Sequence, residues 1–375
     1  VLASLATATA ALLAACGGGG ADTTPATSIS RVTVMGDSLA DVGTFGLKFT
    51  VQGTGSKIYP ELVAQSYGIS SQCPYFLFNG TTFIANPTAG CSNFAIGGAV
   101  INPSGSGYGS TDPRGIVVQL QAAAAAGHSA NDLLLIDGGG NDAATLVGAY
   151  LGTASGSAGI ARYQAVLTTV LDATTVGTQL AAGASGFANV GGLYMTALAD
   201  RFADQIGTYA LGAGAQRVVL LNMPGITNTP RFQTVLDSIG ASAGATARAQ
   251  SKALFDSWVS AFNARLAQRF AGNAKVAVVD FYTAVNDEVA HPEQYQLTNV
   301  ATPACPITGL GSDGLPSYDF ATCTDAALSA NPPAGQSGAD WWKRYAFSDS
   351  FHPTPYGHQL LGQLISRTLA QAGWL

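Results

Sequence analysis

The chain has 375 residues, of which 47% are apolar and only 10% charged, with 46 glycines and a formal charge of −6. That length and apolar content can bury a large core, as one big domain or two. The acidic balance and the lack of a basic stripe exclude a surface built for nucleic acid or anionic membrane.

Residues 1–15 are almost wholly small or apolar and end in Leu13-Ala14-Ala15-Cys16. This predicts the hydrophobic region of a secretory signal over 1–16, closed by a lipoprotein cleavage box that makes Cys16 the lipidated first residue of the mature protein. The stretch is too short to span a bilayer, and no basic segment stands before it. Ordinary cleavage and secretion is the alternative. The expectation is an exported protein, held to the bacterial envelope (the outer membrane) only through Cys16, or else released. Residues 17–30, rich in Gly, Thr and Ala, read as a flexible tether to a body over 31–375.

Four short apolar runs then recur, each ending in a polar or turn residue. They are Val32-Thr33-Val34-Met35, Leu133-Leu134-Leu135-Ile136, Val218-Val219-Leu220-Leu221 and Val276-Ala277-Val278-Val279. Continuous runs without alternation suit strands buried on both faces of a parallel sheet. A further strand is expected near Ser92-Asn93-Phe94-Ala95. Between the runs lie helical patterns over 115–126, 246–270 and 354–372. In the second of these, Phe255, Trp258, Val259, Phe262, Leu266 and Phe270 form one apolar face, read as core packing. Strands alternating with helices indicate a layered α/β domain whose ligands gather at the carboxyl ends of the strands. Residues 181–192 and 238–246, rich in Gly, Ala and Ser, read as loops or flexible helix ends. Residues 284–345 read as a long ordered insertion.

With Cys16 set aside, four cysteines remain, and an even number in an exported chain predicts disulfides. Three pairings are possible. Local pairing, Cys73 with Cys91 and Cys305 with Cys323, is expected because each pair brackets one loop-like stretch. Zinc is disfavoured: no Cys-x-x-Cys spacing exists and the four histidines are scattered.

The stretch Met35-Gly36-Asp37-Ser38-Leu39 follows the first run and puts a serine at a strand's carboxyl end. A helix starting there would aim free backbone N–H groups at the serine oxygen. A serine nucleophile needs a base, and the base an orienting carboxylate. Asp349-Ser350-Phe351-His352-Pro353-Thr354 offers both, three residues apart. His128, His291 and His358 compete poorly and read as solvated, capping or packing residues. Donors for an oxyanion are offered by Asn141 in Gly138-Gly139-Gly140-Asn141-Asp142, and by a glycine of Ala95-Ile96-Gly97-Gly98-Ala99. Read alone, the first is also a glycine turn with a helix cap, and the second a tight turn.

Together, four ordered blocks resemble the GDSL, or SGNH, family of serine hydrolases. These are Gly36-Asp37-Ser38-Leu39, Asn93-Phe94-Ala95-Ile96-Gly97-Gly98, Gly139-Gly140-Asn141-Asp142 and Asp349-Ser350-Phe351-His352-Pro353-Thr354. Asn222-Met223-Pro224-Gly225 also looks like the family's pattern, so the resemblance covers roughly residues 31–372. It implies a three-layer α/β/α sandwich with a flavodoxin-like parallel sheet of about five strands. It implies Ser38 as nucleophile, His352 as base and Asp349 as its partner, in a serine esterase or lipase working through an acyl-enzyme. The oxyanion donors would be the Ser38 N–H, Asn141 and Gly98, with Gly97 the alternative by one residue of register. No metal or organic cofactor is called for, the substrate would be a lipid, small acyl ester or polyester, and a monomer is expected.

Trp341, Trp342, Tyr345, Phe347 and Phe351 stand close to Asp349 and His352 in sequence. They either line an acyl pocket or seal the core under the last helix. The disulfide-bearing insertion would form a pocket wall. An acyltransferase, or a non-catalytic surface-binding lipoprotein on the same scaffold, are the competing functions.

Overall fold

The computed structural model describes residues 28–375, so the expectations for Cys16, for the signal segment and for most of the tether fall outside the described residues. Ile29 is already buried and the Ser30 N–H donates to the Asn131 carbonyl, which brings both residues into the folded body.

In chain order the elements are β1 (Arg31–Met35), α1 (Tyr59–Ser66), β2 (Phe76–Phe78), β3 (Phe83–Ala85), α2 (Ile116–Ala126), β4 (Asp132–Ile136), α3 (Gly140–Gly152) and α4 (Ser157–Leu167). Then follow α5 (Ala173–Ala181), α6 (Ala184–Ile206), β5 (Val218–Leu221), α7 (Pro230–Ala243), α8 (Ala245–Phe270), β6 (Val276–Val279) and α9 (Phe281–Ala290). The chain closes with β7 (Gly309–Leu310), β8 (Pro316–Ser317), α10 (Asp325–Ala330) and α11 (Pro355–Gln371).

The four apolar runs form one parallel sheet in the order β1-β4-β5-β6. Side chains alternate across it, because successive residues of a strand point to opposite faces. Leu134, Ile136, Val218 and Leu220 join a core built with α2, α3, α6 and α8. Leu133, Leu135, Val219 and Leu221 join a second core built with α1, α9 and α11. Burial on both faces is why these runs read as continuously apolar, and the result is a three-layer α/β/α sandwich.

The fifth strand is shorter than expected. Residues 92–96 run parallel to β1 at its outer side through Val34 N–H to Ser92 O, Phe94 N–H to Val34 O and Ile96 N–H to Gly36 O. Only Asn93 pairs with Val34 as a bridge, and Asn93 also bridges Pro74 on its other side. The segment is held by the Cys73–Cys91 disulfide and turns away at Gly97-Gly98, which leaves no length for a regular strand. Counting this strip, the spatial order is 2-1-3-4-5, the flavodoxin-like arrangement.

Two other expectations need correction. Residues 184–192 belong to the 23-residue α6, and residues 238–243 to α7, with only Gly244 breaking the path into α8. The small residues of α6 are there for packing: a Cβ on Gly191 would fall 2.2 Å from Trp258 Cζ2 of α8. Gly191→Ala should therefore lower stability by about 1–3 kcal/mol through overpacking, read as a drop in the urea midpoint. An unchanged midpoint would mean that the two helices are not in this close contact. The insertion expected over 284–345 begins inside α9, which covers one sheet face. Its remainder carries β7, β8, α10 and the Cys305–Cys323 disulfide.

Candidate active site

Ser38 follows β1 at the sheet's carboxyl edge and is 95% buried, at 5% exposure. No helix starts there. Asp37 closes a single turn, accepting from Ala40 and Asp41 N–H through its carbonyl and from Leu39 N–H through its carboxylate. The turn is anchored from below. Gly36 N–H donates to Gln119 Oε1 at 2.8 Å and Asp37 N–H to Asp137 Oδ1 at 2.9 Å, so from Gly36 to Asp41 every backbone N–H except that of Ser38 has a partner.

The loop before α11 meets this turn. His352 Nε2 lies 2.7 Å from Ser38 Oγ, and His352 Nδ1 lies 2.8 Å from Asp349 Oδ2. The other Asp349 oxygen accepts the Phe351 and His352 backbone N–H groups at 2.8 and 2.6 Å. Burial raises the Asp349 pKa, but the His352 ring beside it and those amide bonds outweigh burial and hold the carboxyl below its ordinary value. A carboxylate that stays ionised beside Nδ1 fixes the ring with Nε2 free to accept from the serine hydroxyl. The three-residue spacing works because Asp349 caps its own loop while reaching the ring. The backbone after it is fixed by Ser348 N–H to His352 O and by Thr354, which caps α11 by accepting Gly357 N–H.

Donors converge on the same cleft. The Asn141 Nδ2 group at the start of α3 donates one hydrogen to Ala99 O at 2.9 Å, which leaves its second hydrogen for the cleft. Gly139 before it has φ +101°, a conformation that a side chain would strain. The helix cap is Gly139, not Asn141 or Asp142. Asp142 instead accepts Ile101 and Asn102 N–H, both at 2.9 Å. Of the two candidate glycines, Gly97 donates its N–H to Asp41 Oδ2 at 2.9 Å, and Phe49 packs where its Cβ would be. Gly98 sits at φ +79° and its N–H has no partner among the described residues, nor has the Ser38 N–H. Asp41 also accepts Gly43 and Thr44 N–H, tying the serine loop to the glycine loop.

Ser38, Gly98, Asn141 and His352 line a cleft of about 450 Å³. Its far wall is the β7–β8 hairpin, whose Asp313 pairs with Arg231 of α7 at 2.6 Å across the opening. This hairpin lies between Cys305 and Cys323, so the disulfide-bearing insertion supplies a wall of the cleft as expected; its pairing with Arg231 had no signal in the sequence beyond the Asp313-Gly314 turn. Sequence reasoning missed Phe49, which packs 5.3 Å from the His352 ring. Of the five aromatic residues near the histidine in sequence, only Phe351 lines the cleft. Trp341, Trp342 and Tyr345 pack with the Cys305–Cys323 disulfide in a small separate core, and Phe347 packs against Leu297 and Leu360. The other histidines stay outside. His358 is fully buried, stacked on Tyr59, and accepts the Tyr59 N–H at the start of α1, with burial pushing its pKa down to about 3. His291 is exposed beside Asp287, and His128 lies partly buried after α2.

Beneath the serine turn, Asp137 accepts the Tyr59 O–H at 2.7 Å as well as the Asp37 N–H. Burial, and then the charge of Asp37, raise its pKa. A carboxyl raised in the fold stabilises it fully below the unfolded value near 3.8 and loses that contribution as pH rises through the folded value. The melting temperature should therefore fall from pH 5 to pH 8, and Asp137→Asn, which keeps the shape, should flatten part of that slope. Asp349, held below the ordinary value, stays ionised across this window and does not contribute to it. An identical slope in the variant would remove Asp137 as a cause.

Comparison with known proteins bears on this geometry. A profile of the GDSL-like Lipase/Acylhydrolase family matches residues 32–365. The chain belongs to that family. It is a carboxylic ester hydrolase. Among solved structures, the extracellular lipase from Streptomyces rimosus matches with 18% identity and a TM-score of 0.39, over 91% of this chain and 99% of that one. No curated protein sequence matches. The family match spans all four blocks from Ser38 to His352.

Proposed function

We propose that this GDSL-family hydrolase cleaves carboxylic esters through a Ser38–His352–Asp349 triad and a covalent acyl-enzyme. The observation that carries the reading is the continuous chain Ser38 Oγ–His352 Nε2 at 2.7 Å and His352 Nδ1–Asp349 Oδ2 at 2.8 Å, facing a cleft with three unspent donors. Ser38 Oγ bonds to the ester carbonyl carbon as its proton passes to His352 Nε2. The carbonyl oxygen takes up negative charge among the Ser38 N–H, the Gly98 N–H and Asn141 Nδ2. The carbon–oxygen bond to the alcohol breaks, and the alcohol leaves with the His352 proton. Water then attacks the acyl-enzyme, giving its proton to His352, and the acid departs as Ser38 regains a hydrogen.

A fluorophosphonate probe tests this directly. It should label Ser38 in the wild type, and His352→Ala should lose the labelling while remaining folded. Labelling of another residue, or none on folded wild type, would sink the triad. Partition of the acyl group between water and an added alcohol distinguishes a hydrolase from an acyltransferase. Export is supported by the two disulfides, which persist in oxidising compartments. Lipidation of Cys16 rests on the sequence box alone, and the mass of the mature N-terminal peptide tests it.

A further inference from the structure

The few cations of this acidic chain mostly face carboxylates. Of its 16 lysines and arginines, nine form ion pairs, and Arg201 and Arg217 donate to uncharged oxygens. The side chains of the other five, Lys57, Arg162, Lys275, Arg344 and Arg367, have neither an ion pair nor a hydrogen bond among the described residues. Arg162 and Lys275 are simply exposed. The remaining three line one cavity of about 730 Å³ between α9 and α11, where Lys57 and Arg344 are half-buried. Withdrawing a cation from water without a counter-charge is costly, so three around one hollow point to an anion that comes from outside. Lys343, paired with Asp340, and the carboxyls of Asp325 and Glu288 complete the charged lining. Burial raises the Glu288 pKa to about 7 and Arg367 opposes that, so at neutral pH Glu288 offsets only part of the positive charge.

The rest of the lining says what kind of anion. Gln359, Gln363 and Arg367 follow at four-residue steps along one exposed face of α11, a row about 12 Å long. The same three residues line a further hollow of about 510 Å³, so the groove continues along the helix. Gln294 and Gln296 bring two more amides. Gln296, at φ +55°, is the one non-glycine at positive φ among the described residues, a conformation that glycine adopts more easily. Arg344 lies 4.1 Å over the Tyr356 ring, whose O–H donates to Tyr295 O at 2.8 Å, so the guanidinium is held in place with its N–H groups free. None of the large apolar side chains exposed among the described residues lies here, Trp342 is buried and Arg344 covers Tyr356, so neither a lipid surface nor a stacked base finds a platform. We propose that this groove binds an acidic polysaccharide, its carboxylates meeting Lys57, Arg344 and Arg367 and its hydroxyls meeting the glutamine amides. An amide offers a donor and an acceptor side by side, as a hydroxylated chain requires, and an arginine fork matches a carboxylate. The groove shares no lining residue with the serine cleft, so it holds the enzyme to a matrix and takes no part in ester cleavage, whichever residue is the nucleophile.

Titration calorimetry of the whole chain with oligogalacturonate is the test. Wild type and Ser38→Ala should bind alike, and binding should weaken as salt rises. Arg344→Gln combined with Arg367→Gln should weaken it about tenfold or more, because bonds to ionised groups are the strong ones. The same variant should keep its thermal midpoint, and its kcat/KM on a dissolved short-chain ester should stay within about twofold of wild type, since no residue of the serine cleft is touched. Gln296→Gly is the second variant: relief of the positive φ should keep or raise the thermal midpoint, yet loss of the amide should weaken binding. A merely structural role for these residues would move the midpoint and leave the affinity alone. Absence of binding by folded wild type overturns the proposal, as does wild-type affinity in both variants. So does equal affinity for inorganic phosphate or neutral dextran, or tighter capture of polyglutamate than of the glycan.

Discussion

Ser38→Ala should lower ester turnover by about 10⁴–10⁶-fold while leaving the fold and its melting temperature almost unchanged. The size follows from what the hydroxyl does in this geometry. It is the atom that would bond to the substrate, and it is the partner of His352 Nε2 at 2.7 Å. Alanine removes both without opening a cavity large enough to matter, because only one oxygen is lost from a residue at 5% exposure. The three donors would survive, so hydrolysis should remain measurably above the rate in water. Turnover of a chromogenic short-chain ester, with circular dichroism as the folding control, decides the matter. Activity within tenfold of wild type would mean that another residue is the nucleophile.

Asn141→Ala is the second large effect, about 10²–10³-fold in kcat, or roughly 2.7–4 kcal/mol of barrier, with little change in KM. Its amide is held by Ala99 O through one hydrogen, so the other is fixed in direction before substrate arrives. Such a donor acts most strongly on charge that develops during reaction, which is why kcat should move and KM should not. A loss confined to KM would recast Asn141 as a binding residue. Because Asn141 also joins α3 to the glycine loop, Asn141→Asp provides a control: it can keep a similar shape but cannot donate when ionised.

The sandwich was legible because burial on two faces leaves a simple trace, four uninterrupted apolar runs that became β1, β4, β5 and β6. The strip at 92–96 was legible as a location but not as a length, since bridging by Asn93 depends on partners far away in sequence. Helix α6 was misread where Gly accumulates, because the low helix propensity of glycine is overridden by the close approach of Trp258 that Gly191 permits. The residues around the serine were legible as blocks: Ser38, Gly98, Asn141, Asp349 and His352 do meet at one cleft. The choice between Gly97 and Gly98 was not, because it turns on which N–H Asp41 already occupies. Nothing in the sequence distance between Arg231 and Asp313 announced that they would close over the cleft. The aromatic cluster from Trp341 to Phe351 carried two readings, and the disulfide core claimed three of its members.

Asp41 has a consequence for how the site keeps its shape. One of its oxygens holds the loop just after Ser38 and the other holds Gly97, immediately before Gly98, the proposed donor. Asp41 and Gly97 stand 56 positions apart in sequence, yet the spacing between the serine loop and the glycine loop passes through one carboxylate. The two loops are therefore tied to each other as well as to the sheet, which the serine turn meets through Asp137 and the glycine loop through Ile96 N–H to Gly36 O. The interval between the serine loop and the glycine loop is thus set through a single side chain.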